Sequence, residues 1–304
     1  MNETSNTTEI EATDNITSNR YTFFGFISSR NGNPNGDPDN GNAPRIDTYD
    51  NHGIITDVSI KGHARRAVKQ IFGTDIMIDK SNECIKSVIN KFGKTEDESS
   101  DDTSSKKNKK KGNVNKENNG KELCKAFWDI RTFGGVFGND SSSITGPVQI
   151  SNAKSIHPIS INEMAINRCI PNELKEDNAG NLEVHSQFGD KPYQSYGLYQ
   201  FTGEINPFQA KNTGFNDEDR KKLFEGLNQA YTLWCSAQKG ETEMAKIIVF
   251  KHESALGNAK LSKLRECISI KLRDGVTVPT DYSDYEITVD ESKLPKGISV
   301  EVIE

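Results

Sequence analysis

The chain has 304 residues, of which 33% are hydrophobic, and a formal net charge of −6. That suffices for one large domain or two modest ones and leaves long polar segments outside the core. No run approaches the roughly 20 apolar residues of a membrane span, and residues 1–20 have neither a basic start nor an apolar stretch, so a cytoplasmic protein is expected, with no membrane partner. The five cysteines are scattered, with no C-x-x-C among them, which argues against a zinc site or disulfide framework and for buried free thiols. The acidity sits at the ends. Removing the −4 of residues 1–19 and the −6 of residues 274–304 from the total of −6 leaves +4 on residues 20–273, so the body can carry a local basic field.

Residues 1–19 are Asn/Thr/Glu-rich and read as a disordered acidic tail; the triplets at Asn2, Asn6 and Asn15 fit the glycosylation pattern by chance. Tyr21 to Ser28 is aromatic and β-branched, a buried strand. A loop rich in Asn, Gly, Asp and Pro follows, which neither helix nor strand can cross. Next comes a helix that Thr56 or Asp57 can cap. Ile60, Ala64, Ala67, Val68 and Ile71 form its apolar face. Lys61, Arg65 and Lys69 recur every four residues on a neighbouring face, with Arg66 beside them. Stacked cations repel unless an anion lies along them; a solvated basic face is the plain reading, and a phosphate chain is the functional one.

Farther on, 75–92 reads as one or two short helices of an insertion. Residues 94–121, an acidic block followed by a lysine block, read as a disordered loop. A short helix ends at Trp128, and Arg131 precedes the pair Gly134-Gly135, where a backbone can approach something closely. Residues 146–159 read as a strand and its exit. Met164 to Ile170 is expected to pair with Tyr196 to Phe201 as a hairpin around a polar loop. Asn216 caps the clearest helix, with Leu223, Phe224, Leu227, Tyr231 and Trp234 as its buried stripe and Gly240 as its end. Met244 to Lys251 is a strand, Leu261 to Cys267 a short helix and Ile268 to Leu272 another strand. Tyr285 to Val289 and Ser299 to Ile303 are edge-strand candidates in an acidic C-terminal segment, 274–304.

Several stretches share one resemblance. Asn33-Pro34-Asn35-Gly36-Asp37-Pro38, Pro44-Arg45-Ile46-Asp47, Thr56-Asp57-Val58 and the basic helix from Lys61 are similar, in order and spacing, to the backbone subunit of the type I CRISPR interference complex (Cascade), in its subtype I-C form within the RAMP superfamily. Further matches are Trp128-Asp129-Ile130-Arg131-Thr132-Phe133-Gly134, Gly146-Pro147-Val148-Gln149, Tyr196-Gly197-Leu198-Tyr199 and His252-Glu253-Ser254-Ala255-Leu256-Gly257-Asn258. The chain departs from the pattern at Gly62, where arginine is usual, at His63, where lysine is usual, and at His157, which replaces an acid. A partial match to the RNA-recognition-motif signature at Arg131, Phe133, Gly134 and Val136 misses other positions and carries no weight.

The resemblance implies an α+β fold: a ferredoxin-like, RRM-like palm over residues 20–273, a helical fingers insertion near 73–122 and a β-hairpin thumb near 164–201. It implies a non-catalytic subunit that oligomerises along CRISPR RNA beside other Cascade subunits and presents the guide for pairing with a target DNA strand. Protein of this kind holds the backbone and leaves sequence to base pairing. On that reading Lys61, Arg65, Arg66 and Lys69 neutralise phosphates, Arg45 and Arg131 approach the same groove, and Asn33, Asn35 and Gly134 make close backbone contacts. Asp37 and Asp47 brace the loop. No cofactor or metal is expected: an Asn31/Asn33/Asn35 calcium loop would have Asn42 where a bidentate Glu belongs. The alternatives are an RNA-processing endonuclease with His63 as base and a secreted, glycosylated or calcium-dependent interaction protein.

Overall fold

Strand β1, Tyr21–Gly32, runs through the middle of the largest sheet and explains why its sequence is apolar on both sides. Tyr21, Phe23 and Ile27 point into one core, and Phe24 and Phe26 into another, the period-2 alternation of a strand buried on both faces. The computed structural model describes residues 16–82, 84, 85, 87, 88, 115–137, 142–167, 170, 175, 176, 182, 183 and 188–304.

In chain order the elements after β1 are β2 (Gly36–Asp37), β3 (Ala43–Pro44), β4 (His52–Ile55) and α1 (Asp57–Phe72). Then come α2 (Asn115–Ala126), α3 (Trp128–Phe133), β5 (Gly134–Phe137), β6 (Ser142–Thr145), β7 (Val148–Ile150), β8 (Ala153–Pro158) and β9 (Ile161–Asn167). β10 (Lys175–Glu176), β11 (Leu182–Glu183), β12 (Phe188–Ile205), α4 (Pro207–Thr213), α5 (Asp217–Asn228) and β13 (Glu241–His252) follow. The chain closes with α6 (Leu261–Glu266), β14 (Ile268–Leu272), β15 (Tyr285–Val289) and β16 (Ile298–Ile303). The main sheet has the order β16-β13-β1-β12-β8-β4, with β7 and β9 also paired to β12, and its ladders are antiparallel. The protein is thus a mixed α/β molecule built on one large antiparallel sheet.

Helices α1 and α5 cover one face. Ile60, Ala64 and Val68 of α1 meet Leu223 and Leu227 of α5 over Phe23, Phe201 and Ile247. Thr56 is the N-cap of α1, its hydroxyl accepting from Ser59 N at 3.3 Å, and Gly73 closes the helix in the left-handed region. Ile71, expected on the apolar face, is instead exposed near that end. On the other face, α6 and the β14–β15 hairpin lay Leu264, Cys267, Tyr285 and Ile287 over Phe24, Phe26, Ile248 and Phe250. A third, smaller core joins Met77, Val88, Leu123, Cys124, Phe127, Ile130 and Phe137.

Several expectations need correction. Met164 pairs with Lys191, so β9 takes the first part of β12 as its partner; Tyr196 to Phe201 pair with β1. The single strand foreseen at 146–159 is two, β7 and β8, which meet β12 at different points. The 94–121 loop is too long by its last residues: 115–121 begin α2, whose end is anchored by buried Leu123 and Cys124; 94–114 lie outside the described residues, as do 83, 86 and 89–92 of the 75–92 insertion. Residues 16–19 of the supposed tail are pinned, Thr17 donating to Phe215 O at 3.2 Å and Asp217 Oδ1 at 3.1 Å; Asn2, Asn6 and Asn15 fall outside. The clearest helix stops at Asn228, before Trp234 and Gly240. Of the described cysteines, Cys124 and Cys267 are buried and Cys84 and Cys235 are exposed. The C-terminal segment is an integral cover, with β16 on the sheet edge beside β13.

Candidate nucleic-acid interface

The basic helix gives its cations to the protein before any ligand. Lys61 pairs with Asp57 one turn back at 3.0 Å. Arg65 is 8% exposed and bonded to Asp129 at 3.1 Å. Asp129 also accepts from Met77 N at 2.8 Å and Ile78 N at 3.0 Å, so it is a buried carboxylate with its oxygens engaged. Lys69 pairs with Asp79 at 3.3 Å. The anion that three stacked cations require is therefore supplied by three protein carboxylates, one of them, Asp79, from the insertion. Of the cations on α1, Arg65 faces inward.

Arg131 is likewise structural. Its guanidinium makes two 2.8 Å bonds to Asp219 and also donates to the carbonyls of Cys124 and Lys125, the fork geometry that arginine offers a carboxylate. Asp219 is itself the N3 residue of the capping box of α5, so one side chain ties the helix start to α3. Gly134 does allow a close backbone approach at φ +78°, but to the carbonyl of Ile144 and to Gly146, which a Cβ would strike. Arg45 pairs with Asp37 at 3.3 Å. Asn33 is buried, donating to Asn42 O at 2.6 Å, and Asn35 accepts from Thr56 N at 2.8 Å and Thr56 Oγ1 at 3.0 Å. Both asparagines fasten the loop to itself and to the start of α1. Asp47 takes Lys154 at 2.9 Å, and with Asp37 braces the loop.

Arg66 is the exception on α1. It is half-buried, has no carboxylate partner among the described residues and lies over the Trp234 ring at 5.9 Å. One turn back, His63 is 4% exposed and stacks on Tyr231, ring centroids 4.5 Å apart. Burial, then the charges of Lys239 and Arg66, drive the His63 pKa down to about 3, so this imidazole is neutral. Its ring is buried against Tyr231 and closed off from solvent. Lys239, which the sequence reading passed over, donates to Pro34 O at 2.6 Å; burial and Arg66 lower its pKa. Lys191 of β12 reaches the carbonyl of Ala237 at 2.6 Å.

These residues line a seam between the 31–45 loop, α1 and the 229–240 turn. Its two turns press backbone on backbone. A Cβ on Gly32 would collide with the Lys239 carbonyl, and one on Gly240, at φ +58°, with the carbonyls of Arg30 and Asn31. Asn33 N donates to Gln238 O at 2.8 Å across the contact. The available signal was the pair of glycines, Gly32 and Gly240, each beside a run of polar residues. Elsewhere, His157 stands in β8 with Nδ1 2.7 Å from Tyr285 Oη. His252, buried in the H-x-S-x-L-G-N stretch, accepts from Asn258 N at 2.9 Å and faces Thr22 Oγ1 at 3.1 Å, a brace for that loop. A Cβ at position 62 would meet nothing within 4 Å, so the missing arginine is not excluded by crowding at the backbone. No described group of His, Cys, Asp or Glu could hold a metal ion, and no described helix is long and apolar enough to cross a membrane.

An α/β protein with a single large antiparallel sheet and a cation-lined seam is the class these features define. A family model described as "CRISPR-associated protein Cas7" matches residues 19–290, and the chain belongs to that family. A protein of the same description from Haloferax volcanii is 25% identical over 232 residues, 68% of this chain and 62% of that protein; the chain thus spans less than two thirds of that relative's length. Among solved structures, a chain of a "CRISPR RNA-guided surveillance complex, pre-nicking" aligns over 76% of this chain and 78% of its own, at 13% identity and a TM-score of 0.46. A chain of a Type III-B Cmr-beta complex bound to cognate target RNA aligns over 76% and 61%, at 13% identity and a TM-score of 0.39.

Proposed function

We propose that this protein is a non-catalytic, cytoplasmic backbone subunit of a type I Cascade complex, of subtype I-C, that binds CRISPR RNA, lines up with copies of itself and other subunits along it, and presents it for pairing with a target DNA strand. The observation that carries this reading is membership of the Cas7 family over residues 19–290. The topology supports the architectural part. The succession β1-α1-β8-β12-α5-β13, with strand order β13-β1-β12-β8 and α1 and α5 on one face, fits a ferredoxin-like palm. The insertion around α2 would be the fingers, and β9 with the start of β12 the thumb. Exposed Met164, Ile166 and Phe188 on that hairpin suit contact with a neighbour.

On this reading the RNA backbone follows the seam. Arg66 is its direct cation, and Arg45, Lys61 and Lys69, in partly exposed ion pairs, exchange carboxylate for phosphate at small cost. Asn33, Asn35, Arg65, Arg131 and Gly134 hold the frame. The test is anisotropy of a labelled single-stranded RNA against full-length protein over a range of salt. Log affinity should fall with log salt at about −0.7 per phosphate contacted. Absent or salt-indifferent binding overturns the proposal. Cleavage of that RNA by the wild type and not by His63→Ala would overturn its non-catalytic part.

A further inference from the structure

We propose that Arg66, Lys239 and Trp234 seat one nucleotide of the bound strand, the two cations taking a phosphodiester and the indole the base beside it. The proposal rests on the RNA-binding reading above and deepens it, adding two contacts from the 229–240 turn, outside the basic helix.

Charge is the first argument. The other three cations of α1 each have a carboxylate within 3.3 Å. Arg66 and Lys239 have none among the described residues, and each stands in a half-buried position where like charges repel more strongly than in water. Lys239 spends one of its three donors on Pro34 O and keeps the others. A phosphate would satisfy both cations.

Unfilled hydrogen-bonding capacity is the second. Beside Arg66, the Tyr231 ring stacks on His63, and its buried Oη has no hydrogen-bond partner among the described residues. An unpartnered buried hydroxyl is uncommon in a folded protein, and it can take a hydrogen bond from a bound strand. The field of Arg66 acts on both residues.

Trp234 is the third. Its spacing in the chain predicts a core position, yet it is 42% exposed, and Arg66 lies against its ring. An exposed indole beside an arginine is what single-strand binders use to stack bases without reading them. The glycine-locked contact of the 31–34 and 238–240 backbones fixes Lys239 relative to α1, so the seat is formed before a strand arrives.

The chain has two tryptophans, and Trp128 is fully buried, so intrinsic fluorescence reports on Trp234. Titration with a single-stranded RNA oligonucleotide should quench the wild type and leave Trp234→Phe nearly silent. Trp234→Ala should weaken binding about five- to tenfold with its salt slope unchanged. Lys239→Gln and Arg66→Gln should each weaken it about tenfold and shrink the slope by about 0.7, and Lys239→Arg should restore the slope. Thermal melts showing unchanged folding exclude a structural cause. If the wild type binds RNA with steep salt dependence while Trp234 emission, Lys239→Gln and Arg66→Gln are unaffected, this seat is wrong and the function proposed above survives. If the wild type binds no RNA, both fall.

Discussion

Arg65 and Arg66 stand side by side on α1 and are used in opposite ways. Arg65 is sealed against Asp129, and removing one member of a buried pair strands the other charge. Arg65→Ala should therefore cost about 3–5 kcal/mol in urea denaturation, whereas Arg66→Ala should stay within about 0.5 kcal/mol. Equal effects would mean that the two positions are wrongly distinguished. The four-residue spacing of Lys61, Arg65 and Lys69 was legible in the sequence. Their carboxylates were legible only for Lys61, because Asp57 is a local neighbour, while Asp129 lies 64 residues away and no periodic pattern joins it to Arg65. His63 gives a second outcome at this scale. Its pKa falls from 6.5 unfolded to about 3 folded, so the unfolded chain binds the proton more readily. The stability it permits is whole above about pH 6.5 and declines as pH falls toward 3, by about 1.4 kcal/mol per pH unit. His252, also lowered by burial and by Arg20, acts in the same sense. Denaturation midpoints across this range should show a shallower decline in His63→Phe than in the wild type.

Elements were read well where their pattern is local and poorly where a partner decides. The aromatic alternation of β1, the capped start of α1 and the acidic first turn of α5 all stand in the sequence, and each forms as its residues dictate. β12 does not declare that its first part serves β9 and its remainder β1, because one long strand carries two pairings with no turn signal between. The candidate strands Tyr285 to Val289 and Ser299 to Ile303 could be recognised but not placed, since their partners are β14 and β13. Placing them gives a prediction. Truncation after residue 273 uncovers Phe24, Phe26, Ile248 and Phe250, an apolar sheet face that a free chain cannot leave in water. The truncated protein should aggregate or bind a hydrophobic dye strongly on size-exclusion chromatography. A monomeric, dye-silent product would show that the C-terminal segment does not cover this face.

For the whole molecule, the charge total and its layout pull in opposite directions. A net −6 opposes both RNA binding and close stacking of copies, while the body is positive and the seam holds cations without carboxylate partners among the described residues. Free copies should therefore repel, and a polyanion laid along their seams should reverse that balance by screening one seam at a time. If each copy occupies a fixed length of strand, association must be set by RNA length and not by protein concentration alone. Native mass spectrometry of the full-length protein should give monomer without RNA and, as the single strand is lengthened, whole-number steps in copies per strand. Raising salt should strip copies and RNA together, because the same charges hold both. Copies that assemble equally well without RNA, or a stoichiometry that stays at one copy on long strands, would remove self-assembly along a guide from the proposed function while leaving RNA binding by the single chain to be judged by its own titration.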